Sequence, residues 1–218
     1  MKTYLNPTPE QWNDLAKRQT VAAADLNETV KSIFNDIQKN GSTAVKKYTN
    51  YFDGISIENV AISTAEIEKA VAEIPSDLKN AIQIASDNIK RFHQSQKEIP
   101  TKIETTSGVF CWRESRAIDT IGIYIPGGTA PLFSTVLMLA IPAKIAGCKN
   151  IVLCSPPDKT GNINPAILYA AQLTGVTQMY KVGGIQAIAA MTFGTDDIPK
   201  VDKLFGPGNQ YVTAAKQY

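Results

Sequence analysis

The chain has 218 residues, with 22 Lys and Arg against 20 Asp and Glu; a net charge of +2 is too near neutral to recruit nucleic acid or an anionic membrane by charge alone. Its 44% apolar content is enough for an ordinary buried core. The longest apolar runs are interrupted by Pro142, Lys144 and Lys149, and Met1 to Pro7 lacks the apolar run of a secretory leader, so the expected setting is the cytoplasm, with no membrane span.

In chain order, the first hundred residues read as mostly helical. Thr8-Pro9-Glu10 opens a helix running to about residue 18, with Thr8 as cap and Pro9 at the first helical position. A second helix, from about 27 to 39, puts Val30, Ile33, Phe34 and Ile37 on one face and stops at Asn40-Gly41. A short helix follows from Ser42 to about residue 50, and 59–62 reads as a short strand. Thr64 opens a helix to Ile74, and Pro75-Ser76 opens a longer one carrying Leu78, Ile82, Ala85, Ile89 and Phe92. Alternation over 101–116, with Ser107-Gly108 at its centre, predicts a β-hairpin.

From Asp119 the pattern becomes strand, glycine-rich corner, helix, repeated. Strands are predicted over 120–125, 150–154, 178–182 and 201–205, and helices over 134–146, 165–173, 185–193 and from 210 onward. A spacing of about 25–30 residues per unit suits right-handed parallel crossovers. The charge pattern agrees: residues 1–100 hold 25 of the 42 charged side chains, whereas 121–191 hold five. Strands covered on both faces need such a charge-poor stretch, and peripheral helices need charge. The expected fold is therefore α/β: a parallel sheet with flanking helices from about residue 119, a mostly helical α/β region over 26–118 that ends in the hairpin, and a short helical N-terminal arm over 1–25.

Three corners stand out: Ile125-Pro126-Gly127-Gly128, Val182-Gly183-Gly184 and Phe205-Gly206-Pro207-Gly208-Asn209. On parallel strands all three fall at the carboxyl edge, where open α/β sheets bind ligands. Tyr124 ends the first strand, where its ring either stacks on a flat cofactor or packs in the core. Gln186 follows Gly183-Gly184 and is either a ligand contact or a loop brace, since a buried amide without partners is costly. Asn209 is a natural helix cap and, beside the other two, a binding candidate. Thr129, Ser134 and Thr135 lie where a helix should begin and can either cap it or receive phosphate, capping being the commoner use. The Gly127-Gly128 corner lacks the spacing of the usual dinucleotide fingerprint.

No nucleophile, acid–base pair or metal set can be assembled from these residues. Cys111, Cys148 and Cys154 are too few and odd in number for a disulfide framework. Cys154 and Cys148 leave open an aldehyde-dehydrogenase-like thiol enzyme, but a strand-end thiol in apolar surroundings is usually filler. His93, the only histidine, reads as structural.

Residues 122–132 (Gly-Ile-Tyr-Ile-Pro-Gly-Gly-Thr-Ala-Pro-Leu), Lys181-Val182-Gly183-Gly184-Ile185-Gln186-Ala187 and Phe205-Gly206-Pro207-Gly208-Asn209-Gln210-Tyr211-Val212 resemble signature blocks of histidinol dehydrogenases, as do Arg91-Phe92-His93 and Cys154-Ser155-Pro156-Pro157. The resemblance implies two incomplete Rossmann-like domains, a helical arm and a homodimer, with residues 119–218 as the NAD-side domain. It also implies oxidation of L-histidinol through an aldehyde to L-histidine, with two NAD⁺ in succession and one zinc per site, and contact of Tyr124, Gln186 and Asn209 with NAD. Family members are about twice this length, and their zinc ligands (a glutamine, an aspartate and two histidines) and Glu-His pair lie beyond the point that matches Tyr218. The chain alone is therefore expected to lack catalytic and metal residues, to be inactive, and to self-associate through uncovered apolar surface. A non-catalytic nucleotide-binding or assembly module is the other expectation.

Overall fold

The computed structural model describes residues 3–17, 23–128 and 130–218. Four parallel strands form its centre: β3 (Thr120–Tyr124), β4 (Asn150–Ser155), β5 (Gln178–Lys181) and β6 (Lys203–Phe205), in the order β5-β4-β3-β6. The two strands before them, β1 (Ile103–Thr106) and β2 (Val109–Cys111), pair antiparallel as the expected hairpin, exposed along its length.

Side chains alternate between the two faces of the sheet, and that alternation sorts the helices. Ile121 and Ile123 of β3, with Ile151 and Leu153 of β4, belong to one core, which also holds residues of α3 (Thr64–Glu73), α4 (Ser76–Gln94), α5 (Phe133–Ala146) and α6 (Pro165–Thr174). Tyr124, Val152, Cys154 and Tyr180 point the other way, into a core shared with α2 (Ala23–Asp53), α7 (Gly184–Phe193) and α8 (Gln210–Gln217). Helices of the first hundred residues thus join the cores on both faces of a sheet built from the last hundred, packing there on α5 to α8. The α/β architecture expected from the charge pattern is the one the chain adopts. Among the described residues no helix is long and apolar enough to cross a membrane.

Local structure follows the capping logic. In α1 (Pro9–Ala16), Thr8 and Gln11 form a capping box with Pro9 at the first position. The helix ends at Ala16, with Lys17 already extended, two residues short of the expected end near residue 18. Ser63 and Glu66 form a second capping box on α3. The helices expected on either side of Asn40-Gly41 are the two arms of α2, broken where Gly41 takes φ 49° and ψ −131°. The segment expected as a strand over 59–62 makes only one antiparallel bridge, Ala61 to Tyr180, flanked by bonds from Ile62 N–H to the Met179 carbonyl and from Lys181 N–H to the Val60 carbonyl. It is an edge contact too short to propagate a ladder. β6 starts two residues later than expected, because Val201 N–H is taken by the Met191 carbonyl at the end of α7.

Asp36 ties the arms of α2 together: its carboxylate accepts from Asn40 Nδ2 at 2.6 Å and Lys47 Nζ at 2.7 Å. Hydrogen bonds from Lys47, Asn40 and Tyr48 lower its pKa to about 2, from 3.8. A depressed carboxylate pKa stabilises the fold above the unfolded value, and that stabilisation is lost as pH falls through the folded one. Asp36→Asn is therefore expected to lower the thermal midpoint at neutral pH, with the difference from wild type shrinking between about pH 4 and pH 2. An equal difference at both ends of that window, read by circular dichroism, would rule the linkage out.

Candidate functional site

The strand order reverses beside β3. The chain steps from β3 to β4 to β5 in one direction, then crosses back to lay β6 on the other side of β3. Loops leaving β3 and β6 therefore part, and the crevice between them is where open α/β sheets take ligands. The glycine corners meet there and are locked to one another. A side chain at Gly127 would come within 2.7 Å of Pro156 Cγ, and one at Gly183 would overlap Pro156 itself, so the loop after β4 is wedged between the other two. Gly206, at φ 142°, lies directly on the Tyr124 carbonyl.

These corners wall a cavity of about 600 Å³. Its side chains include Phe52, Asp53, Tyr124, Gln186, Asn209 and Tyr211, with Pro126-Gly127, Pro156-Pro157 and Gly184 completing the wall. All three residues singled out in the sequence thus reach one cavity, from three different corners.

Each is held by a distinct device. Gly183 holds the cap position of α7 but has no side chain to cap it, and the Tyr124 hydroxyl accepts the Gly184 N–H at 3.0 Å instead. Tyr124 is 4% exposed, and burial pushes its phenol up to about 12, so it stays protonated and keeps an O–H to donate. Gln186 is fully buried: its Nε2 donates to Asp53 Oδ2 at 3.4 Å, while Oε1 has no hydrogen-bond partner. Asp53 is half-buried, and burial raises its carboxyl pKa. The Asn209 oxygen accepts from the N–H groups of both Tyr211 and Val212 at 3.1 Å, capping α8 at the mouth of the cavity.

Other candidates fall away. Thr129 lies outside the described residues. The cap position of α5 is Leu132, so Ser134 and Thr135 sit inside its first turn and do not cap it, and neither lines the cavity. Cys154 is fully buried, and burial drives its thiol well above the ordinary range, the opposite of what a nucleophile needs. His93 bonds Gln96 Oε1 through Nδ1 at 2.7 Å and lines a separate hollow beside Pro142 and Ala146, at the far end of α5.

Phe52 and Asp53 escaped the sequence reading. They end α2, more than 70 residues before the nearest strand-end residue of the cavity, Tyr124. Phe52 stacks on Tyr48 and meets Tyr51 edge-on, which leaves it 49% exposed beside the cavity. The available signal was Tyr51-Phe52-Asp53-Gly54, two aromatics and an acid at a helix end with no apolar face to serve.

Comparison with known proteins agrees with this geometry. The family model described as histidinol dehydrogenase matches residues 16–218. The chain is 54% identical over 217 residues to the histidinol dehydrogenase of Bacteroides thetaiotaomicron, all of the chain aligning with 51% of that protein. It is 49% identical to the chloroplastic histidinol dehydrogenase of Arabidopsis thaliana, with 99% of the chain aligned to 46% of that protein. The crystal structure of histidinol dehydrogenase from Elizabethkingia anophelis superposes with a TM-score of 0.88 at 58% identity, covering 100% of this chain and 50% of that one. The chain spans about half the length of the curated relatives it matches.

Proposed function

This chain belongs to the histidinol dehydrogenase family, and on that premise we propose that it supplies the nucleotide-binding wall of an NAD- and zinc-dependent enzyme of histidine biosynthesis. That enzyme oxidises L-histidinol through an aldehyde to L-histidine and works as a homodimer. The observation that carries the nucleotide reading is the unpartnered Gln186 oxygen, buried in the wall of a roughly 600 Å³ cavity at the point where strand order reverses. An orphaned buried acceptor costs free energy that a ligand can recover.

When bound, NAD⁺ supplies the acceptor for hydride. The chain's own part is to bind and orient it. Phe52 and Tyr124 offer aromatic surface, Tyr124 a phenolic donor, and Asn209, whose oxygen is committed to the α8 cap, the remaining N–H₂ of its amide. The glycines at 127, 183 and 206 let the corners close on Pro156 and on the Tyr124 carbonyl, which shapes the wall of the cavity. Zinc does not fit the residues in hand: among the described residues no three His, Cys, Asp or Glu side chains gather to hold a metal ion.

Calorimetric titration with NAD⁺, paired with an assay of histidinol oxidation in the presence of zinc, tests this reading. Saturable NAD⁺ binding is expected, weakened by Tyr124→Ala and Asn209→Ala, with no turnover by the chain alone. Turnover by the isolated chain would overturn the expectation that its catalytic groups are lacking, and silence toward NAD⁺ would overturn the nucleotide reading.

A further inference from the structure

Among the described residues lining the cavity, Asp53 is the only charged one. It ends α2 and reaches Gln186 across the helix–helix contact between α2 and α7. A terminal amide can face a neighbour with either its N–H₂ or its oxygen, and most neighbours leave that choice open. An ionised carboxylate does not, because it only accepts.

We propose that Asp53 is a positioning residue: it holds the Gln186 N–H₂ toward itself and so forces the amide oxygen to be the group offered to a ligand. The ligand group received there is an N–H donor on a base. This rests on the nucleotide reading above and assigns a polarity to it. Two further contacts agree. Gln186 Oε1 is folded onto Gly184, 2.7 Å from where any side chain at that position would begin, and no protein donor reaches it. Beside it, the Tyr124 oxygen already accepts the Gly184 N–H, which leaves the phenol proton to donate. Around Gly184 the protein thus presents one acceptor and one donor. The flat groups that match both are the amino edge of adenine and the carboxamide of nicotinamide. The oxygen lies out of water's reach, and a small swing of the amide about its contact with Asp53 is what would bring it to the ligand.

Two dinucleotide analogues separate the two sources. In nicotinamide hypoxanthine dinucleotide the adenine amino group becomes a carbonyl and the neighbouring ring nitrogen becomes a donor. In 3-acetylpyridine adenine dinucleotide the carboxamide N–H₂ becomes a methyl. Calorimetry on the 218-residue chain is expected to show one of them binding about tenfold or more weakly than NAD⁺, the loss of one buried donor. The analogue that suffers identifies the base in the pocket. Asp53→Asn, which can donate to the Gln186 oxygen and turn the amide round, is expected to erase that discrimination. It should reverse it if the hypoxanthine compound was the weak one. Gln186→Met should erase it as well, which covers the case in which Asp53→Asn does not fold. A merely structural role for Asp53 would shift all three ligands together. If NAD⁺ binds and both analogues bind within about threefold of it, or if Asp53→Asn keeps the wild-type discrimination, the assignment is overturned alone. If NAD⁺ does not bind at all, the nucleotide reading falls with it.

Discussion

Replacing Gly206 by alanine is expected to destabilise the chain by about 3 kcal/mol or more, lowering the thermal midpoint by about 6–12 °C, and to remove nucleotide binding. Two effects act together. The residue sits at φ 142°, a backbone conformation that side-chain-bearing residues rarely adopt. A methyl group there would also overlap the Tyr124 carbonyl oxygen and lie 3.0 Å from the Tyr124 carbonyl carbon. The obstacle is backbone, and it belongs to β3, which is paired on both sides, with β4 and with β6. It cannot rotate away as a flexible side chain would. Relief must come from moving the β6–α8 corner, which displaces Asn209, or the end of β3, which displaces Tyr124. Gly54→Ala is the matched control: it also has positive φ, at 71°, but an added methyl meets nothing within 4 Å. Thermal melts of both variants decide the matter. If Gly206→Ala melts no lower than Gly54→Ala, contact between corner and strand is not what sets the rim.

Gln186→Met is expected to do the reverse of most core substitutions, leaving stability intact or raised while NAD⁺ affinity falls about tenfold or more. Methionine nearly matches glutamine in volume and flexes to fill irregular space. It removes a buried acceptor whose lack of a partner costs on the order of 1–3 kcal/mol. What it gives up is a single hydrogen bond to Asp53 at 3.4 Å, at the long end of useful geometry. The balance favours the free protein and disfavours the complex. Opposite signs in the two measurements, melting and calorimetry, mark a group kept for a ligand at the expense of the fold. A fall in both together would mean that the amide braces the corner and has no ligand to meet.

The parallel sheet and its helices were legible because both faces of the sheet are covered. Val152 and Ile151 are equally apolar although they point to opposite cores. Such strands read as short apolar runs, and after residue 119 three of the four are closed by a glycine corner, β4 running instead into Pro156-Pro157. The short pieces were less clear: 59–62 has strand composition but gains only one bridge at the edge of β5, with Val60 buried in the core beside Tyr180. Within the site, Tyr124, Gln186 and Asn209 were found because each sits one to three residues from a glycine corner. Phe52 and Asp53 precede Gly54, but that glycine ends a helix and follows no strand, and what makes them cavity residues is the docking of α2 against α7.

Local chemistry determined where the chain turns and which of the longer segments are helix or strand, because glycine tolerance, capping and apolar period act over a few residues; the parallel pairing of the strands set the three corners on one edge. Tertiary structure decided what faces that edge from a distance. Which oxygen is left without a partner, which carboxylate lies against it and which phenol caps α7 depend on elements up to 133 residues apart in sequence being pressed together. A hydrogen bond needs its two atoms within about 3.5 Å, and only the packed fold fixes distances of that size.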